Sequence, residues 1–171
     1  WEGFDALRDP RAPPDTLVET ARGILYLGRD EPCRAISPLA DACRAFEDVG
    51  FLAVFWSDAA IQCGEIDLAE RLLADVRNMP HQAPRETVER VTAELCAARD
   101  HDDAAERLYR HLHELRSTLS FARFLESRGR LREAIERYAL VVHGAPRETK
   151  PAKPYVAAMD GWWAEQSGSE R

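Results

Sequence analysis

A spacing that returns three times constrains this chain more than any other feature of it. The stretches Gly64-Glu-Ile-Asp-Leu-Ala69-Glu-Arg-Leu-Leu73, Asp100-His-Asp-Asp-Ala-Ala105-Glu-Arg-Leu-Tyr109 and Gly129-Arg-Leu-Arg-Glu-Ala134-Ile-Glu-Arg-Tyr138 can be laid over one another. Each opens on a turn residue, reaches Ala five residues later, and meets a large side chain four residues after that. Ala lacks the bulk that keeps two helix backbones apart, so it suits a helix crossing, and the larger residue one turn on fills the space beside it. Recurrence of this kind marks stacked units, none of which can bury its apolar face alone. The pattern calls for a series of helical hairpins.

Helical periodicity surrounds these stretches. Asp15, after Pro13 and Pro14, is placed to cap a helix through Leu27, in which Leu17, Ala21 and Ile24 recur and which Gly28 stops. Ser37 and Pro38 predict the start of a second helix, carrying Leu39, Ala42, Cys43 and Phe46 to Gly50, with an insertion over 30–37 before it. Further helices are expected over 51–63, 66–78, 84–99, 102–115, 118–128 and 131–142, and Tyr155, Met159, Trp162 and Trp163 give one more stripe. About nine helices joined by loops of a few residues must lie antiparallel to their neighbours, and no segment sustains the alternation of a strand. The fold class is all-α. The expected layout is an N-terminal extension over 1–14, a repeat domain over 15–146, and a linker with a capping helix over 147–171.

On these residues the chain resembles the tetratricopeptide repeat family, which sets a small residue in the first helix of each unit, Gly or a polar residue at the turn, Ala in the second helix and Pro at the end. The last unit supplies Ala122, Leu125, Gly129, Ala134, Tyr138 and Pro146; the second supplies Trp56, Ser57, Ala60, Gly64, Ala69 and Leu73. The third carries Ala93, Cys96, Ala105 and Tyr109 with Asp100 at the turn, and a degenerate first unit carries Ala21, Ile24 and Gly28. Turns at 28, 64, 100 and 129 lie 36, 36 and 29 residues apart, so trimmed helices are expected near Arg116 to Thr118.

The resemblance implies an α–α superhelix whose first helices line a concave groove for a protein or peptide, with no catalytic residue and no cofactor. Its inward positions would be Arg22, Tyr26, Asp58, Ile61, Gln62, Arg90, Glu94, Arg123 and Glu126. Members that hold a terminal carboxylate use Lys and Asn where this chain has residues such as Val54, Phe55 and Asp58, so that mode is not implied. The segment Ala42 to Val76 is also similar to repeats of large bacterial signal-responsive transcription regulators, which implies a regulatory or sensor domain as the alternative. An opening on Trp1 rather than Met is expected of a processed or excised chain.

Composition narrows the partner. A net charge of −7 suits a duplex nucleic acid poorly, because such surfaces gather Lys and Arg to displace counterions. No apolar run approaches the ~20 residues of a membrane helix. Cys33, Cys43, Cys63 and Cys96 fall within or beside apolar helical patterns without a CxxC, which predicts reduced thiols and a cytoplasmic protein. His111 and His113 sit two apart, on different helix faces, and no His or acidic cluster has metal-ligand spacing. Neither a GxSxG elbow nor a phosphate-cradling GxxxxGK[ST] loop occurs, so no enzyme is expected. Trp162 and Trp163 would cap the last repeat or join two copies of the chain, with Trp1, Phe4 and Leu7 covering the other end.

Overall fold

The computed structural model describes residues 14–46, 49–76, 78–79 and 83–144. Eight α-helices and no strand form among them: α1 (Pro14–Gly28), α2 (Pro32–Ala45), α3 (Gly50–Gln62), α4 (Ile66–Val76), α5 (Arg85–Ala98), α6 (Asp102–Tyr109), α7 (Leu115–Ser127) and α8 (Leu131–Gly144). The expected ninth helix and Pro146, together with Trp1, Phe4, Leu7, Trp162 and Trp163, lie outside the described residues.

The helices pair consecutively, and one backbone device makes every pair. The chain leaves the first helix through a residue in the left-handed region: Asp30 at φ 63°, Gly64 at 81°, Asp100 at 58° and Gly129 at 73°. The amide of the next residue then donates back to a carbonyl five residues earlier. These bonds run from Glu31 to Tyr26 (2.9 Å), Glu65 to Ala60 (2.8 Å), His101 to Cys96 (2.9 Å) and Arg130 to Leu125 (2.9 Å). The left-handed residue itself donates to Leu27, Ile61, Ala97 and Glu126 in turn. Two orphan carbonyls are satisfied at each helix end and the chain is reversed within three residues.

This register corrects the expectation for the first unit. Its turn residue is Asp30, not Gly28, and no insertion comes after it, because α2 begins at Pro32. Pro32 occupies the first turn, where a missing N–H costs nothing. Pro38, expected to start the helix, is buried inside it and leaves the carbonyl of Arg34 without its usual donor. Counted from Asp30, the first unit obeys the common rule. Five residues after each turn stand Ala35, Ala69, Ala105 and Ala134, each at most 2% exposed; nine after stand Leu39, Leu73, Tyr109 and Tyr138, all buried. Seven residues before each turn stand Gly23, Ser57, Ala93 and Ala122, small and buried without exception. Ala60 is buried as expected, whereas Ala21, expected to be structural, is exposed.

A second correction concerns the short last step. The shortening falls on α6, eight residues that end at Tyr109, while α7 already starts at Leu115. Thr118 N–H donates to Glu114 at 2.9 Å, so the helix is under way where trimming was expected.

Two compact units result, one running to His111 and the other starting at Leu112. Within the first, α1 packs on α2, α3 on α4 and α5 on α6; the second helix of each pair packs on the first helix of the next, α2 on α3 and α4 on α5. First helices also meet one another, α1 with α3 and α3 with α5. Helix α3 is therefore enclosed on nearly every side, which its sequence GFLAVFWSDAAIQ permits. Phe51, Leu52, Ala53, Val54, Leu73, Val76 and Val91 form the main cluster, and Ala35, Leu39 and Ala59 form a smaller one between the first two pairs. In the second unit α7 packs on α8 through Phe121, Ala122, Leu125, Ala134 and Tyr138. No described helix is long and apolar enough to cross a membrane.

Gly23 tests the crossing directly. A Cβ there would stand 2.7 Å from two atoms of fully buried Leu39, whereas one at Gly28 would meet nothing within 4 Å. Overpacking of about 1–3 kcal/mol exceeds the gain of about 1 kcal/mol that Ala brings to a helix interior. Gly23→Ala is expected to lower the urea midpoint, and Gly28→Ala to hold or raise it.

Candidate partner-binding face

The face shared by α1, α3 and α5 is defined by position relative to the turns. Six residues before the turn stand Ile24, Asp58 and Glu94; three before stand Leu27, Ile61 and Ala97. Ile24, Leu27, Ile61, Glu94 and Ala97 are half-buried and Gln62 is exposed. Corresponding positions of the first helices thus form a largely apolar strip, with carboxylate and amide groups beside it. Ile61, Gln62 and Glu94 were expected here. Ile24 and Leu27 were not, because a first turn at Gly28 displaces the whole register of α1; Ala97, on α5, was not named either.

Asp58 and Arg90 do not belong to an open groove. They are 1% and 3% exposed and bonded to each other, Arg90 Nη2 donating to Asp58 Oδ2 at 2.9 Å. The physical reason lies in α3, which is apolar around its circumference and carries no basic residue. A carboxylate buried there is tolerated only if paired and hydrogen-bonded. Arg90 from the next pair supplies the charge, and Gln62 Nε2 donates to the other oxygen at 2.6 Å. The second arm of the guanidinium reaches Glu94 at 2.7 Å. Burial works against the Arg90 charge, but Glu94 and Asp58 outweigh it and hold the guanidinium well above its ordinary pKa. Tyr109 shares this environment: burial pushes its phenol up, the nearby Glu94 adds to that, and Arg90 opposes it. The cluster fastens α3 to α5 from beneath the strip.

Two further expected groove residues face elsewhere. Tyr26 packs toward α2, its ring 4.5 Å from the Arg34 guanidinium and its hydroxyl accepting from Arg34 Nη2 at 3.2 Å. Arg22, exposed and paired with Glu19 at 2.8 Å, holds the position that Trp56 holds on α3. Trp56 packs against the cluster of the preceding pair, whereas the equivalent face of α1, with Arg22, Val18 and Leu25, is exposed. In the second unit Arg123 is exposed, and Glu126 accepts from the Tyr138 hydroxyl at 2.6 Å, tying α7 to α8.

Two of the four cysteines depart from expectation. Cys33 and Cys63 form a disulfide, with Cα atoms 5.5 Å apart. Cys33 is exposed near the start of α2 and Cys63 comes directly after α3, so neither is the buried thiol that the apolar pattern implied. Cys43 and Cys96 are free thiols; burial pushes Cys43 up to about 12 and raises Cys96 as well. No group of three or more His, Cys, Asp or Glu with metal-holding geometry occurs among the described residues.

At the rim, Arg99 Nη2 pairs with Asp67 at 2.6 Å and with Glu70, joining α4 to the end of α5. These groups are between one-third and four-fifths exposed. Truncating Arg90 leaves Asp58 buried without its counter-ion, so Arg90→Met is expected to cost about 3–5 kcal/mol. Arg99→Ala is expected to cost at most about 1 kcal/mol, both read by urea denaturation. Alkali should also act on Cys43. The folded state holds its proton to a pH of about 12 against an ordinary 9.0, so its stabilising effect is complete below pH 9 and lost as pH rises toward 12. Cys43→Val should flatten that part of the decline in the denaturation midpoint.

Compared with known proteins, the chain matches no family model, and neither the curated proteins nor the solved structures give a match.

Proposed function

We propose that the helical pairs are repeats of the tetratricopeptide kind and that the chain is a non-catalytic scaffold holding an extended segment of a partner protein. The observation that carries this reading is the register of the first unit. Four turns of one geometry set small residues at every crossing, and in the first unit they bring three first helices side by side. Stacked hairpins of this sort present the same helix of each unit to one side, so that side becomes a continuous track. Here the track holds Ile24, Leu27, Ile61 and Ala97 as apolar footholds, with Gln62 and Glu94 as polar neighbours. Half-buried aliphatic side chains give area without mobility, and the amide and carboxylate fix the direction of a bound backbone. The track is held rigid from below by the Asp58–Arg90–Glu94 bonds, which lowers the entropy lost when a ligand is ordered on it.

Selection from a displayed peptide library on the purified chain tests the reading. Enriched peptides are expected to lose at least about tenfold in affinity (~1.4 kcal/mol) when Ile61 is changed to Arg. Arg71→Glu, on the exposed side of α4, should leave them bound. Peptides that bind Ile61→Arg as well as wild type, or a selection that enriches none, would remove the track as the site.

A further inference from the structure

The two joints of the first unit are clamped at the same repeat position by different chemistry. Cys33 stands three residues after the turn residue Asp30, and Cys63 one residue before the turn residue Gly64. Asp67 stands three after Gly64, and Arg99 one before Asp100. The first couple forms a disulfide; the second forms an ion pair at 2.6 Å, shared with Glu70. The site that fastens each pair to the next is therefore covalent at the first joint and ionic at the second.

The rest of the first joint explains why a clamp matters there. Between the first two pairs Ala35, Leu39 and Ala59 form a small cluster, with Ile36, Phe55 and Trp56 packed against it, and Ala42 and Phe46 join the main cluster. The Nε1 atom of Trp56 is buried with no hydrogen-bond partner. A buried donor left unsatisfied weakens the seam that encloses it. The second joint instead has the buried Arg90–Asp58 bond in addition to its rim pair. Cys33 is exposed and Cys63 half-buried, so a thiol in solution can reach the bridge from the Cys33 side.

We propose that the Cys33–Cys63 bridge is a redox-operated clamp that sets how firmly the first helical pair is held to the second. The reductant is a dithiol. Its thiolate attacks Sγ of Cys33, the bond between the two protein sulfurs breaks, and Cys63 departs as a thiolate that takes a proton from solvent. The second thiol of the reductant then attacks the mixed disulfide at the reductant's own sulfur, which frees Cys33 and leaves the reductant as a disulfide. Two electrons and two protons pass to the protein, and a disulfide oxidant reverses the exchange. With the clamp open, α1 and α2 lose their covalent tie to the end of α3 and separate more often, while the ionic clamp on α5 is untouched. The clamp operates whether or not the track binds a peptide.

Hydrogen exchange on the full chain, with and without dithiothreitol, tests it. Reduction is expected to speed exchange in α1 and α2 at least tenfold and to leave α5 and α6 unchanged. Cys33→Ser with Cys63→Ser should behave without reductant as the reduced wild type does. Cys33→Asp with Cys63→Arg, which places the ionic clamp at the first joint, should ignore reductant and recover part of the protection. Equal exchange in both conditions, acceleration that extends equally through α5 and α6, or peptide mapping that finds Cys33 and Cys63 unpaired after oxidation would each overturn the proposal.

Discussion

The left-handed residue that ends each first helix governs the packing of the whole hairpin. Asp30, Gly64, Asp100 and Gly129 adopt a backbone conformation that returns the chain on itself within three residues. Once the chain reverses there, residues seven before and five after the turn come to the crossing of the two helices, and only small side chains fit. Gly23, Ser57, Ala93 and Ala122 meet that requirement on one side, and Ala35, Ala69, Ala105 and Ala134 on the other. Large residues nine after the turn then fill the wedge that the crossing leaves. Local backbone chemistry thus determines which side chains meet.

Packing in turn determines where charge can be placed. Because α3 is enclosed by its neighbours, Asp58 has no route to water, and its partners must come from the protein. Arg90 answers from α5 and Gln62 from α3 itself. A paired buried charge of this kind contributes little net stability against an apolar substitute but is costly to break. It joins α5 to α3 at one position along each helix. The exposed Arg99 pair at the rim contributes less and is screened by salt.

Much of this is legible in the sequence, and the failures share a cause. Ala69, Ala105 and Ala134 can be found because Gly or Asp, five residues earlier, marks a turn openly. The first unit misleads because Gly28 is the more conspicuous turn residue, yet it ends α1 as an ordinary helical residue and Asp30 takes the positive φ. Ser37-Pro38 resembles a helix start for a similar reason, although Pro38 is accommodated inside α2. Asp58 and Arg90 pass for surface residues because charge usually is at the surface; their pairing spans 32 residues and two helices, beyond what periodicity can show. The one sequence cue is an acid alone in an otherwise apolar helix. The Cys33–Cys63 bridge is equally hidden, since spacing alone does not specify which of four cysteines meet.

The common register of the first pair is the claim on which the apolar track, the clamp equivalence and the repeat reading all depend. Nuclear Overhauser spectroscopy on the isotope-labelled chain measures it most directly. The account predicts cross-peaks between the Gly23 Hα protons and the Leu39 methyl groups, together with a strong amide-to-Hα cross-peak within Asp30, which a positive φ shortens. Leu39 methyls that instead meet Ala21, with Gly28 rather than Asp30 showing the left-handed backbone, would contradict it.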